Sequence, residues 1–300
     1  MIEISNVSKS FGRIKALENV SFKVNNGELV GYVGLNGAGK TTTIRIIVGV
    51  LLPDSGDVYI DGYSVLKEKR KASMRIGWVP EIPIFEPDVK ALDYFVYLAG
   101  YYKISPNEAR RLGKELFEKV GLSGAENRKL KEYSQGMKKR FALAVSLIND
   151  PPNFVFDEVL NGLDPEGIKF FRELAKDFKK QGKAVLFSSH ILSEVEALAD
   201  RVVFIHKGRI INILTMQEIK SMAEKKLVVK LDKPLEKIPE EINSYGEPII
   251  QDNTLVIRKF KGDQSTIVEL LLRQGYKIME VKLEETSLEE VFFKLIGEQK

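Results

Sequence analysis

The chain has 300 residues and a mass of 33.9 kDa, room for one large domain or two of ordinary size. Hydrophobic residues at 44% and charged residues at 29% give the balance of a globular protein and exclude a disordered one. A net charge of +4 is too small an excess to argue for nucleic acid, the lack of cysteine excludes disulfides and thiolate metal sites, and two histidines leave little room for a histidine metal centre.

Met1-Ile2-Glu3-Ile4 lacks the basic and apolar regions of a signal peptide. The apolar stretch Ile46 to Leu52 is far short of the roughly 20 residues that span a bilayer. The expectation is therefore a cytoplasmic chain that reaches a membrane only through a partner or by surface contact. Residues 1–220 carry a net charge of +6 and residues 221–300 a net of −2. That shift, with the polar stretch Met216-Gln217-Glu218-Ile219-Lys220-Ser221, places a domain boundary near 215–225 and divides the chain into 1–220 and 221–300.

In chain order, Ser21–Val24 and Leu29–Val33 read as strands. A helix follows the glycine-rich loop and runs to about Val48, and residues 56–62 read as a strand between turn residues. Residues 88–150 read mostly as helix. Ser105 serves there as N-cap, Pro106 as N1 and Glu108 as N3, with Gly121 as the left-handed stop. Phe154-Val155-Phe156, Ala184–Phe187 and Val202–Ile205 are short apolar runs of the kind found in buried parallel strands, and Asp164-Pro165 starts the helix between the first two. This is an α/β pattern with a helical insert. The tail predicts strand 226–232, helix 235–243, strands 247–252 and 254–260, helix 264–274 and strand 277–283, with a turn at Asp252-Asn253 and a stop at Gly275. That β-α-β-β-α-β order is ferredoxin-like. A last helix begins at Ser287 with Glu290 completing a capping box.

Gly34-Leu35-Asn36-Gly37-Ala38-Gly39-Lys40-Thr41 fits the phosphate-loop pattern G-x-x-x-x-G-K-[ST] without a mismatch, between an apolar strand and a helix. Glycines let backbone N–H groups turn inward around phosphates, and the helix N-terminus adds positive potential. Lys40 reaches the β- and γ-phosphates and the Thr41 hydroxyl ligates Mg²⁺. Alone, the motif says nucleoside triphosphate and no more, since GTPases, kinases, helicases and transport ATPases share it. Asp157 and Glu158 end an apolar strand. Beside a phosphate loop, Asp157 suits the metal and Glu158 suits general-base or water-positioning work. His190 closes the Ala184–Phe187 strand region, where it is either a structural residue or one that reaches a γ-phosphate; spacing does not decide.

The order of these pieces resembles the ATP-binding subunit of an ABC transporter. Phe11 matches the aromatic that stacks on adenine, Gly34 to Thr42 the phosphate loop, and Tyr133-Ser134-Gln135-Gly136-Met137 the signature usually written L-S-G-G-Q. Asp157 and Glu158 match the metal-binding Asp and catalytic Glu, Asn161-Gly162-Leu163-Asp164 the D-loop, and His190 the switch histidine. The six motifs stand in order over roughly residues 3–210. The tail resembles the extension of the ABC-2 type (drug and sodium exporter-like) branch. Two departures stand out. Glu81 follows the strand at 76–79 where Gln is usual, and the signature has Gln135 for Gly and Met137 for Gln. Ser134 and Gly136 remain, and the variants read as marks of the ABC-2 branch.

The resemblance implies an α/β ABC ATPase cassette with a helical subdomain at about 88–150, followed by a small ferredoxin-like α+β domain. It implies ATP and Mg²⁺, the metal at Thr41, Asp157 and Glu81, and two copies or paired ATPase subunits facing head to tail. Ser134 and Gly136 of one copy would then meet ATP on the other. It implies export through a separate integral membrane subunit and attachment to the inner face of the cell membrane. The loop Glu81–Val89 is the implied contact, with Ile82, Ile84 and Phe85 either seating a partner helix or filling the insert core. Lys138-Lys139-Arg140 and residues 67–71 are expected to be solvated. A soluble ATPase acting on nucleic acid is disfavoured: Lys40 and Asp157 are 117 residues apart with no heptad run between them. A purely regulatory module is disfavoured by Glu158.

Overall fold

The computed structural model describes residues 1–222, 225–285 and 287–297. The chain divides into two compact units, Met1–Met216 and Gln217–Lys300.

The first unit opens with β1 (Ile2–Phe11) and β2 (Ile14–Val24), a hairpin whose second strand starts seven residues before the predicted Ser21. β3 (Leu29–Val33) leads into the glycine loop and α1 (Lys40–Ile47), then β4 (Ser55–Ile60), β5 (Tyr63–Ser64), α2 (Lys69–Ser73) and β6 (Ile76–Val79). The insert holds α3 (Ala91–Gly100), α4 (Pro106–Lys119) and α5 (Gln135–Ser146). After it, β7 (Asn153–Phe156), α6 (Pro165–Lys180), β8 (Ala184–Ser189), α7 (Leu192–Leu198), β9 (Arg201–His206) and β10 (Arg209–Thr215) complete the unit.

Six strands form one sheet in the order β10-β9-β3-β8-β7-β6, parallel except at β10. Every residue of β3, β7 and β8 is buried, as expected of parallel strands covered on both faces. An antiparallel sheet, β2-β1-β4-β5, lies beside it. Ile44, Ile46 and Ile47 of α1 share one core with Ile4 and Val58 of this sheet and Tyr32 and Leu186 of the other. α6 follows the expected start, with the Asp164 carboxylate capping the Gly167 N–H at 2.9 Å and Pro165 at the first position. It buries Phe171, Leu174, Ala175 and Phe178 on one face, and the Phe178 ring stacks on Phe154 with centroids 4.2 Å apart. The insert has its own aromatic core: Phe141 meets Phe117 at 5.7 Å and Phe85 at 4.8 Å, edge to face. Ser105 and Gly121 bound α4 as predicted, Ser105 Oγ accepting from Glu108 N and Gly121 at φ +70°.

Across the boundary at Met216 runs α8 (Met216–Met222), so the polar stretch there is helical. The second unit then contains β11 (Lys225–Leu231), β12 (Glu247–Gln251), β13 (Thr254–Arg258), α9 (Gln264–Arg273), β14 (Ile278–Glu285) and α10 (Leu288–Gly297). Its four strands are antiparallel in the order β12-β13-β11-β14. Ser287 and Glu290 form the reciprocal capping box. The predicted helix 235–243 is not there; only a 3₁₀ segment, Glu240–Tyr245, stands between β11 and β12. Pro239 accounts for this, because in mid-segment it lacks an N–H and drives Ile238 out of the helical region.

The stacked Phe154–Phe178 pair sets a prediction. Phe178→Ala should lower stability by about 3–5 kcal/mol, read as a reduced melting temperature. A change below about 1 kcal/mol would contradict the assigned packing of α6.

Candidate active site

The central sheet brings the loop after β3 beside the ends of β7 and β8, the crevice at the carboxyl ends of parallel strands where ligands bind in open α/β sheets. Two glycines make the loop possible. A Cβ on Gly34 would stand 2.5 Å from the Ile205 carbonyl oxygen, and Gly39, at φ +112°, would place one 2.9 Å from the Ala16 oxygen. Gly39 caps α1 with no side chain, and no acid occupies the first turn of the helix. The opening N–H groups of α1 thus remain available to an anion. The Lys40 side chain curls back along the loop, donating to Gly34 O at 2.8 Å and standing 3.4 Å from Glu158 Oε1. Both side chains are almost closed to solvent.

Asp157 follows β7, its N–H donating to Val79 O. Its Oδ1 accepts from Ser188 Oγ at 2.8 Å and from Thr41 Oγ1 at 3.4 Å. Burial pushes the Asp157 carboxyl above the ordinary carboxylate range. The two hydroxyls oppose that shift, while Glu81 and Glu158 add to it. Glu158 sits at φ +47°, left-handed for a residue with a Cβ. Its N–H donates to Ser188 Oγ at 2.9 Å. Its Oε2 lies 2.9 Å from His190 Nδ1 and accepts from Asn161 Nδ2 at 3.3 Å. A neutral His190 ring makes that contact with its proton on Nδ1.

Lys40, Glu158, Asn161 and His190 line a cleft of about 610 Å³, and Asp157 and Ser188 are not among its bordering residues. Leu35, Asn36, Gly37, Gly39, Lys40, Thr41, Thr42, Glu81, Glu158 and His190 all border it, with Lys15 and Lys207 as further cations. Gly34 and Ala38 support the loop from behind, through the Gly34 carbonyl on Lys40 and the Ala38 N–H on Leu35 O. Phe11 is half exposed at the end of β1, with Lys9 Nζ 5.8 Å from its ring centroid. It is not among the residues that border the cleft; Ile14 and Ala16 of the same hairpin are. Ser134 and Gly136 lie elsewhere, bordering a second cavity of about 690 Å³ at the start of α5. Ser134 is the N-cap there, its Oγ accepting from Met137 N at 3.2 Å.

Three placements differ from or sharpen the sequence reading. Lys139 is not solvated. It is buried, and its ammonium donates to the carbonyls of Glu158, Val159 and Asn161. Phe85 packs on Phe141 in the insert core, whereas Ile82 and Ile84 are exposed, Ile84 by 87%. Ser188, unassigned in the sequence, touches both acids. The register Phe156↔Phe187 places it one residue on, next to Asp157. A polar residue ending a buried strand was the signal available.

Among the described residues no cluster of three or more His, Cys, Asp or Glu could hold a metal by itself. The donors at hand are the Thr41 hydroxyl and the Asp157 carboxylate, with Glu81 on the wall. Few, hard oxygen donors beside a phosphate loop fit Mg²⁺ shared with nucleotide phosphates. No helix among the described residues is long and apolar enough to cross a membrane.

The loop, the cleft and the acids behind it define a P-loop nucleotide-binding protein. The ABC transporter family model matches residues 17–161. The chain is 35% identical to an uncharacterized ABC transporter ATP-binding protein, YhcH, of Bacillus subtilis (strain 168), over 100% of this chain and 97% of that protein. It is 32% identical to the bacitracin transport ATP-binding protein BcrA of Bacillus licheniformis, over 99% and 97%. A dimeric post-hydrolysis state of an ATP-binding cassette with ADP and Pi superposes with a TM-score of 0.66 at 26% identity, covering 72% of this chain and 99% of that one. This chain belongs to the ABC transporter family as an ATP-binding subunit. It is an ATPase of the kind that pairs with a second cassette and works with a membrane transporter.

Burial, and then the two neighbouring acids, disfavour a charge on Asp157. Asp157→Asn should therefore leave the melting temperature unchanged or raise it by a few degrees while lowering Mg²⁺-dependent ATP hydrolysis by about a hundredfold or more. A large loss of stability with hydrolysis retained would contradict its placement.

Proposed function

We propose that this chain is the ATP-hydrolysing subunit of an exporter, working as a homodimer with one Mg²⁺·ATP on each cleft and bound to the cytoplasmic face of the cell membrane through an integral membrane subunit. The observation that carries this reading is the meeting of Lys40, Glu158 and His190 in one cleft, with Ser134 on a separate cavity of the same unit. A phosphate on the loop lies against Lys40 and the N–H groups of α1. Glu158, held by His190 and Asn161, faces the γ-position and accepts a proton from the attacking water. Thr41 and Asp157, with Glu81 beside them, would hold Mg²⁺, which would supply positive charge to offset that of the phosphates.

Ser134 and the N–H groups of α5 present a second anion-binding helix end, on a cavity that shares no lining residue with the cleft. A partner copy facing head to tail supplies ATP to it, so nucleotide is held between two positive helix ends and hydrolysis loosens the pair. Phe11 stacks on adenine in this arrangement, from a hairpin that already borders the cleft. The ABC-2 resemblance and the full-length match to a bacitracin transport protein support export. For the membrane subunit, Ile82 and Ile84 offer an exposed apolar seat beside a small cavity with Pro83, Phe85 and Pro87. Nothing in the site favours nucleic acid.

Lys40→Ala should abolish ATP binding, measured by equilibrium titration; unchanged affinity would remove Lys40 from the phosphate site. Glu158→Gln should bind ATP, stop turnover and sediment as a dimer with ATP, whereas turnover at the wild-type rate would remove Glu158 from the base role. Ile84→Glu should leave ATPase activity of the isolated chain within about twofold but abolish copurification with a membrane protein from detergent extracts. Copurification at the wild-type level would place the seat elsewhere.

A further inference from the structure

Lys139 lies in the second turn of α5, on the same helix face as Ala142, Leu143 and Ser146, all buried. A lysine on such a face is rare unless something holds its charge. Here three carbonyls do so, those of Glu158, Val159 and Asn161, one for each proton of the ammonium. Burial lowers its proton affinity, and the field of Glu81, Glu158 and Asp157 opposes that. Among the described residues no carboxylate oxygen forms a direct ion pair with it. Its contacts are to backbone, and all three belong to the turn that carries Glu158.

That turn needs holding. Glu158 has a left-handed backbone, φ +47°, a conformation that costs a residue with a Cβ and persists where its surroundings fix it. Its N–H is fixed by Ser188 Oγ at 2.9 Å. Its carbonyl is fixed by Lys139 Nζ at 2.9 Å. With both flanking peptides pinned, the carboxylate is aimed by its backbone as well as by His190 and Asn161.

We propose that Lys139 is a positioning residue for ATP hydrolysis, clamping the left-handed turn that aims Glu158 and fastening it to the helix that begins at Ser134. The proposal rests on Glu158 as the general base. The contacts of Lys139 are with the turn of Glu158 and none is with the phosphate loop, so its loss lowers turnover without a loss of ATP binding.

The test compares Lys139→Met, which keeps the length and removes the donors, with Lys139→Arg, which keeps N–H donors, and Lys139→Gln, whose two N–H donors on a shorter side chain cannot serve all three carbonyls. Glu158→Gln and the Lys139→Met/Glu158→Gln double variant complete the set. Lys139→Met should bind ATP no more than about threefold more weakly than wild type, with kcat lower by about thirtyfold or more. Lys139→Arg should recover most of kcat, and the double variant should turn over no more slowly than Glu158→Gln alone. Wild-type kcat in Lys139→Met overturns the proposal. So does a loss of kcat matched by lost ATP affinity and not recovered by Arg, which marks a merely structural lysine. If the Met variant does not fold, Lys139→Gln decides: reduced kcat at unchanged affinity supports the clamp, and wild-type kcat overturns it. Full turnover in Glu158→Gln would instead fault the base assignment on which the proposal stands.

Discussion

Lys40 and Glu158 form an ion pair at 3.4 Å, nearly sealed from solvent, and the arrangement of the first unit serves to make that contact possible. The lysine begins α1 and the glutamate follows β7. They meet because β8 alone separates β3 from β7 in the sheet. Taking both charges from water is expensive, and a buried pair of this kind adds little net stability. Its value lies in what a nucleotide does to it. In the proposed mechanism a γ-phosphate competes for the ammonium, and the carboxylate released from that contact keeps His190 and Asn161 as partners, so that ATP would free the proposed base where it is needed.

Everything around this pair concerns close approach and fixed direction. Gly34 and Gly39 have no room for a Cβ, because the backbone at Ile205 and Ala16 closes on the loop. Ser188 spans the two acids, bonding Asp157 through its hydroxyl and receiving the Glu158 N–H. Lys139 reaches the same turn from the other side. The strained residue is the one proposed as the base, and two side chains from distant elements hold it there.

How much was legible depended on whether the signal was local. The phosphate loop is a contiguous pattern, and its consequences follow from backbone chemistry in eight residues. β7 and β8 are apolar runs whose burial on both faces follows from composition. The meeting of Glu158 with His190 needed the family resemblance, since strand order is not written in any one segment. Lys139 was misread because the run Lys138-Lys139-Arg140 resembles a solvated patch. The counter-signal was its spacing of three, four and seven residues from Ala142, Leu143 and Ser146, which puts it on the buried stripe. The helix predicted over 235–243 overlooked Pro239, and a 3₁₀ segment begins only after it. Ile82, Ile84 and Phe85 look alike in sequence, but only Phe85 reaches the ring of Phe141, 4.8 Å away. Packing across the insert separated them.

In the proposed mechanism Glu158 and a nucleotide compete for Lys40. Equilibrium binding of ATP without Mg²⁺, where turnover does not interfere, tests it most directly when wild type is compared with Glu158→Gln. The neutral variant should bind more tightly, by roughly tenfold, because the ammonium no longer has to leave a buried carboxylate. Equal or weaker binding would contradict the competition and return the ion pair to a structural role.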